Sequence, residues 1–237
     1  MKIGILETGL LNEAFVDQFD PYPVMFASLL DRAKQDFEYR TYSVVRGEMP
    51  ESIDECDGWL ITGSRFGAYE KLDWMEALEA FIRELHRGSM PLAGICFGHQ
   101  IIALVRGGVV EKSDKGWGIG IASNEIAGNP SWMIKPPAGL NMLSSHQDQV
   151  TQLPGDTQII AQSDFCPYFV VQWGDHFLSI QGHPEWSNAY SGTLMNDRRA
   201  IIPAERIEAG LKSLDQQADR ALFVSWIMNF VEFNAHP

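Results

Sequence analysis

The residues best suited to chemistry in this chain surround Cys96. Cys96 lies in the pattern Gly94-x-Cys96-x-Gly98, after the apolar residues 91–93 and before the apolar run 101–105. This pattern predicts a strand, a sharp turn and a helix, with cysteine where a nucleophile elbow carries its reacting group. Glycines beside the turn let other backbone pass close by, and a helix start favours the thiolate form of cysteine. The alternative is a buried structural cysteine beside an ordinary strand–helix loop.

A cysteine nucleophile needs a base, and the base needs a group that orients it. His183 and Glu185 fit these roles in the stretch Gly182-His183-Pro184-Glu185, which follows the apolar run 177–181. Pro184 biases His183 toward an extended conformation, in which residues two apart share a face. The Glu185 carboxylate can then bond one imidazole nitrogen and leave the other for the thiol. The alternative is a loop histidine beside a surface glutamate.

Two further histidines compete for the role of base. His146 has Asp148 two residues after it, so it has the same type of acidic partner. We expect His146 to belong to the wall of the pocket instead. His99 follows Cys96 by three residues, and its side chain should point along the helix. The other histidines, expected at the surface, are His86, His176 and His236.

The first half of the chain alternates strands with helices, which predicts βαβ units and a parallel sheet. Sheets of this kind place ligand sites at the carboxyl ends of their strands, where both Cys96 and His183 occur. Strands are predicted at residues 2–6, 37–45, 58–62 and directly before Cys96, and helices at 22–34 and 74–87.

The second half contains short strands separated by turn residues, followed by about forty helical residues in which Pro203 stands near a helix start. Gly174-Asp175 predicts a two-residue hairpin turn. Because no repeat or linker divides the chain, we expect one α/β domain over residues 1–237. Its open, mostly parallel central sheet should carry helices on both faces, beside a smaller antiparallel sheet. The short strands are predicted at 109–110, 118–121, 141–143, 157–161, 168–173 and 176–181.

Composition excludes several classes of function. The net charge of −13 over 237 residues argues against nucleic acid as a partner, since phosphate binding needs a basic surface. The apolar run 221–231 is too short to span a bilayer, and residues 1–7 are too short an apolar stretch for a signal peptide. Three cysteines fit a reducing cytoplasm better than a disulfide framework. No spacing predicts a zinc site, so we expect no metal and no cofactor.

Together these motifs resemble the triad (class I) glutamine amidotransferases. The resemblance is strong at the elbow motif (residues 94–100) and the histidine motif (residues 182–185), and loose in the C-terminal helices. Residues 145–148 are similar to a segment of the GMP synthetase amidotransferase domain. Residues 62–64 and 105–108 more closely resemble stand-alone members, including the plant γ-glutamyl peptidases that act on glutathione conjugates.

The resemblance implies a catalytic triad of Cys96, His183 and Glu185. Cys96 would attack the side-chain amide of glutamine or another γ-glutamyl amide, and His183 would pass a proton to the leaving amine. Water would then release the resulting γ-glutamyl thioester. No cofactor takes part in this chemistry.

The resemblance also implies residues that bind the substrate. The backbone N–H of Phe97 and one from Gly63 or Ser64 would hold the oxyanion, although many members carry Gly-Gly-Pro at residues 62–64. Gln100 occupies the position that contacts the amino-acid end of the substrate. Pocket residues expected beside it are Ser145 and His146.

Three functions remain open from the sequence. One is a glutaminase-type amidotransferase whose synthetase partner is supplied in trans, because the chain has no P-loop. The second is a stand-alone γ-glutamyl peptidase, with a cleft bordered by Arg65, Phe66 and Tyr69. The third is a catalytically silent binding protein. A serine-type α/β-hydrolase is disfavoured, since the elbow carries cysteine and Glu185 follows His183 in the chain.

Overall fold

A nine-stranded sheet forms the centre of this protein in a computed structural model that describes residues 1–33, 37–133 and 136–235. In chain order the described strands are β1 (Lys2–Leu6), β2 (Glu38–Tyr42), β3 (Gly58–Ile61), β4 (Leu92–Ile95), β5 (Val109–Lys112), β6 (Gly118–Ile126), β7 (Gly139–His146), β8 (Asp148–Gln152), β9 (Thr157–Gln162), β10 (Val170–Trp173) and β11 (Phe177–Ile180). The described α-helices are α1 (Tyr22–Ala33), α2 (Asp73–Arg87), α3 (Phe97–Val105), α4 (Asn188–Asp197), α5 (Ala204–Ser213) and α6 (Arg220–Ala235). Short 3₁₀ helices occur at Glu13–Phe15, Val44–Arg46 and Ile53–Glu55.

The parallel part of the sheet brings the chemically interesting segments together. The strand order is β2-β1-β3-β4-β11-β10-β9-β6-β7, and the first five strands in this order are parallel. Strand β4 lies between β3 and β11, with Ile95 beside Ile180. The carboxyl ends of these three strands therefore lie at one edge of the sheet. Gly63, Cys96 and His183 follow the three strands and meet at that edge.

The remaining described strands pair with antiparallel neighbours. Strands β10, β9, β6 and β7 extend the central sheet in antiparallel pairs, while β5 and β8 form a separate antiparallel sheet. The predicted parallel strands and smaller antiparallel sheet are thus confirmed. The β10–β11 hairpin loop has three residues rather than the predicted two, because Trp173 pairs with Phe177. Gly174 begins this loop with a φ of 58°, a conformation that glycine adopts easily.

Helices cover both faces of the sheet, as predicted. Side chains alternate along a strand, so Leu60 of β3 faces one hydrophobic core while Trp59 and Ile61 face the other. The first core includes Phe26 of α1 and Trp226 of α6. The second core contains the apolar faces of α2 and α3. Burial on both faces explains why the central strands read as continuous apolar runs.

The ends of the helices differ little from the sequence expectations. Helix α2 begins one residue before the predicted start, and Pro203 directly precedes α5. The predicted end of the first helix, Lys34, lies outside the described residues, as does His236. None of the described helices is both long enough and apolar enough to cross a membrane.

Candidate active site

Cys96 occupies a strained turn between β4 and α3. Its φ of 50° and ψ of −95° lie outside the regions that residues with a side chain prefer. The two flanking glycines allow this turn to pack. A Cβ added to Gly94 would lie 2.7 Å from the Gly98 carbonyl oxygen, and one added to Gly98 would lie 2.7 Å from the Ile61 carbonyl oxygen. The glycines therefore let α3 start against β3 and β4, which presents the Cys96 side chain at the edge of the sheet.

His183 and Glu185 form the pair that the sequence predicts. The His183 Nδ1 atom lies 2.7 Å from Glu185 Oε1, and both side chains are buried. The backbone N–H of His183 donates to the Leu143 carbonyl oxygen at 2.7 Å, which ties this loop to β7. The His183 ring also lies close enough to Cys96 for the cysteine to raise the pKa of the imidazole. The three residues therefore form a continuous chain from sulfur to carboxylate.

The charge of His183 follows from these contacts. Burial lowers the pKa of the imidazole, but the Glu185 carboxylate and the Cys96 group outweigh it and raise that pKa to about 9. The ring is therefore protonated at neutral pH. A cation then lies beside the sulfur atom that must carry negative charge when it attacks.

Trp186 supports His183 from the side, a role that sequence reasoning missed. Its ring lies 3.5 Å from the His183 ring, centroid to centroid, with an interplanar angle of 5°. The indole packs in turn against Tyr190 of α4 at 5.1 Å. The face of an indole attracts a cation, so this stack favours the protonated imidazole as well as its orientation. The only sequence signal was the position of Trp186 directly after the histidine motif.

Gln181 is a second residue that sequence reasoning missed. Its Nε2 donates to Cys96 Sγ at 3.5 Å, while its Oε1 accepts a hydrogen bond from Gln100 Nε2 at 3.2 Å. Gln100 Nε2 also donates to the Asp148 carbonyl oxygen at 2.9 Å. The Gln100 amide nitrogen is thus engaged within the protein. Gln181 could be recognised only once β11 was known to lie beside β4.

Gly63 lies directly against the nucleophile and the base. A Cβ added to it would stand 2.7 Å from His183 Cε1 and 3.8 Å from Cys96 Cβ. The loop is held by Thr8, whose backbone N–H donates to Thr62 Oγ1 at 3.0 Å and whose hydroxyl donates to the Thr62 carbonyl oxygen at 2.8 Å. The following Ser64 lines the cleft in front of the cysteine. Both loop residues that the sequence singled out therefore border the site.

His146 and His99 have other environments. Burial lowers the pKa of His146 to about 4, and its Nδ1 lies 3.2 Å from the backbone carbonyl oxygen of Asp148. A backbone carbonyl thus takes the place of the expected carboxylate partner, and burial outweighs its effect on the pKa of His146. His99 is buried, bonds to Ser179 Oγ at 2.7 Å, and has a pKa lowered to about 3 by burial. The pKa values of His146 and His99 are thus lowered, whereas that of His183 is raised.

A cleft of about 250 Å³ opens from Cys96 to the surface. Ser145 lies in its wall and accepts a hydrogen bond from Arg198 Nη1 at 2.7 Å. Arg198 comes from the C-terminal helices and gave no sequence signal. The wall of the cleft also includes the three loop residues predicted to border it, Arg65, Phe66 and Tyr69. Further charged and aromatic residues in the wall are Glu70, Lys112, Trp117 and Asp148.

Comparisons with known proteins bear on the family and the fold of this chain. A family model described as glutamine amidotransferase class-I matches residues 27–201. The chain is 34% identical to gamma-glutamyl peptidase 3 of Arabidopsis thaliana over 206 residues, which cover 82% of this chain and 83% of the relative. It is 30% identical over 158 residues to a glutamine-hydrolyzing GMP synthase subunit of Archaeoglobus fulgidus, covering 66% and 81%. A glutamine amidotransferase structure from Thermotoga maritima superposes with a TM-score of 0.75 at 20% identity, covering 97% and 98%.

Proposed function

Because the chain belongs to the class-I glutamine amidotransferase family of enzymes, we propose that it cleaves γ-glutamyl amides through a thioester on Cys96. The observation that carries this proposal is the chain of contacts from the Cys96 thiol through His183 to Glu185 Oε1. It begins at a strained elbow and ends at a buried carboxylate, which is the arrangement that a cysteine nucleophile requires.

The first half of the reaction forms the thioester. Cys96 Sγ attacks the γ-carbonyl carbon, and the carbonyl π electrons move onto the oxygen. As that intermediate collapses, the C–N bond breaks and the protonated His183 gives its proton to the departing nitrogen. Glu185 keeps the ring oriented throughout, and Gln181 donates to the sulfur before attack. The products are a free amine, or ammonia, and a γ-glutamyl group on Cys96.

The second half of the reaction releases glutamate. Neutral His183 takes a proton from water, whose oxygen attacks the thioester carbon, and the C–S bond then breaks. The sulfur departs as thiolate and His183 is again the cation that faces it. One water molecule is consumed for each amide cleaved, so the atoms and charges balance over the cycle.

The oxyanion of both intermediates needs two hydrogen-bond donors. The Phe97 N–H is the first in α3 and has no acceptor within its helix, which supports the predicted role for it. The nearness of Gly63 to Cys96 supports a second donor from the Gly63-Ser64 loop. Because a Cβ added at Gly63 would lie only 2.7 Å from His183 Cε1, the proposed second donor requires glycine at this position.

The leaving group distinguishes the two enzyme functions. Ammonia needs little space, whereas the cleft of about 250 Å³ extends from Cys96 past Arg65, Phe66 and Tyr69. We therefore favour a stand-alone hydrolase whose leaving group is a peptide amine. The similarity to a gamma-glutamyl peptidase supports the same choice. The observation that favours the second candidate, a glutaminase-type subunit with a synthetase in trans, is the similarity to a GMP synthase subunit.

We further propose that residues 1–237 act as one domain, with glutamine or another γ-glutamyl compound as the partner of the site. The three cysteines, which are free and buried, support a place in a reducing cytoplasm.

A substrate panel tests the proposal. The purified protein is incubated with glutamine, glutathione, a glutathione S-conjugate and γ-glutamyl dipeptides, and glutamate, ammonia and free amine are measured separately. We expect glutamate and amine from at least one peptide without any partner, and none from Cys96→Ala. Glutamate with ammonia from glutamine alone would favour the glutaminase-type function. No glutamate from any compound would favour either an amidotransferase that is inactive without its partner or the silent binding protein.

A further inference from the structure

A second cavity, of about 500 Å³, lies on the other side of the histidine motif. It shares no lining residue with the cleft at Cys96. Helix α1, the start of α4 and the first turns of α6 enclose it, and Leu29 and Val224 form its buried apolar floor. We name this cavity the basic groove, and its lining residues are Leu29, Arg32, Asn188, Gln217, Ala218, Arg220, Ala221, Val224 and Ser225.

Two arginines give the basic groove its character. Arg220 is partly buried, and its Nε and Nη2 atoms donate to the carbonyl oxygens of Pro184 and Glu185 at 2.7 and 3.0 Å. Its Nη1 atom makes no hydrogen bond to any residue that the structure describes. Arg32 is exposed and has neither an ion pair nor a hydrogen bond within the same described ranges. Arg220 is therefore held in place with one free nitrogen, whereas Arg32 has no partner among the residues that the structure describes.

The two guanidinium groups are close enough to influence each other. Burial lowers the pKa of Arg220, the Glu185 carboxylate opposes that effect, and the charge of Arg32 lowers the pKa further. No acidic side chain occurs among the described residues that line the groove. Two like charges therefore line a shared cavity, in a protein whose net charge is −13. Such a pair costs free energy until an anion occupies the space.

We propose that the basic groove binds a small anion that carries a carboxylate or a phosphate group, held between Arg32 and Arg220. The Arg32 guanidinium can donate paired N–H bonds to the oxygens of either group, and Arg220 adds its free Nη1 atom. The apolar floor accepts the carbon skeleton of such a molecule, and the cavity volume suits a ligand of metabolite size. The bound anion contacts the same guanidinium that holds the carbonyl oxygens of Pro184 and Glu185, next to the catalytic base.

Calorimetric titration tests this site without any need for activity. Inorganic phosphate and citrate are titrated separately, at constant ionic strength, into the wild type, Arg32→Gln and Arg87→Gln. Arg87 is an exposed arginine at the end of α2, so its variant makes the same change in charge away from the groove. We expect at least one anion to bind the wild type and Arg87→Gln equally, and Arg32→Gln about tenfold more weakly. The anion that binds more tightly shows whether the groove prefers a phosphate group or a carboxylate group.

Two results would overturn the proposal. One is equal affinity of Arg32→Gln and the wild type for both anions, and the other is no binding heat up to about 10 mM of either. Because the Arg32 side chain is exposed, its variant should remain folded. Arg220→Lys is a second test variant, since it keeps the charge but loses the free Nη1 donor and the hydrogen bonds to the Pro184 and Glu185 carbonyl oxygens. If its circular dichroism is native, its affinity should also fall, and unchanged affinity would place the anion elsewhere.

Discussion

His183 makes three contacts, and each has a separate chemical consequence. Its Nδ1 bonds to Glu185, which sets the orientation of the ring, and its nearness to Cys96 raises the pKa of the imidazole beside the nucleophile. The face of the ring stacks on Trp186. Of these contacts, the pairing with Glu185 was predictable, because residues two apart in an extended segment share a face. The stack was not predictable, because it depends on how the chain turns into α4.

Trp186→Leu should lower kcat by about tenfold with little change in KM, because loss of the aromatic face removes support for the protonated imidazole. The upper limb of the kcat–pH profile should move to lower pH for the same reason. Trp186→Phe keeps an aromatic face and is the matched control, which should retain most of the activity. The profiles are measured with the substrate that the panel identifies. A Leu variant with the wild-type pH profile would show that Trp186 only fills space.

At the scale of elements, the site depends on three neighbouring strands. Strand–helix alternation in the first half of the chain predicts that β3 and β4 end at one edge of a parallel sheet, and His183 follows the further strand predicted at 176–181. The hydrogen bond from Gln181 to Cys96 depends on β11 pairing directly with β4, across more than eighty residues of sequence. Local patterns carry no information on such long-range pairing, which is why the antiparallel extension of the sheet and Gln181 were found only in the structure.

The close packing of α3 against β3 can be tested by a substitution at Gly98. A Cβ on Gly98 would lie 2.7 Å from the Ile61 carbonyl oxygen and 2.9 Å from Ile61 Cβ. Gly98→Ala should therefore reduce the free energy of unfolding by about 1–3 kcal/mol and displace the elbow, with loss of activity. Gly155→Ala is the control, since nothing lies within 4 Å of the added atom there. Urea unfolding measures both, and equal stability of the two variants would contradict the packing account.

At the scale of the whole molecule, the active site and the basic groove lie on opposite sides of one loop. The histidine motif presents His183 to Cys96, while the carbonyl oxygens of Pro184 and Glu185 accept hydrogen bonds from Arg220. Composition could exclude nucleic acid as a partner, but it could not show that two of the 18 basic residues converge on a groove in an acidic protein. That convergence arises from the docking of α6 against α1, a contact between the two ends of the chain.

The most direct test of the account is to trap the intermediate. The wild type, Cys96→Ala, His183→Ala and His146→Ala are each mixed with the substrate, quenched in acid and examined by intact-mass and peptide-mapping mass spectrometry. We expect a γ-glutamyl adduct on Cys96 in the wild type and in His146→Ala. We expect no adduct in Cys96→Ala, and formation slower by about 10²–10⁴ in His183→Ala. An adduct that persists in Cys96→Ala, or that forms at the normal rate in His183→Ala but not in His146→Ala, would contradict the assignment of the triad.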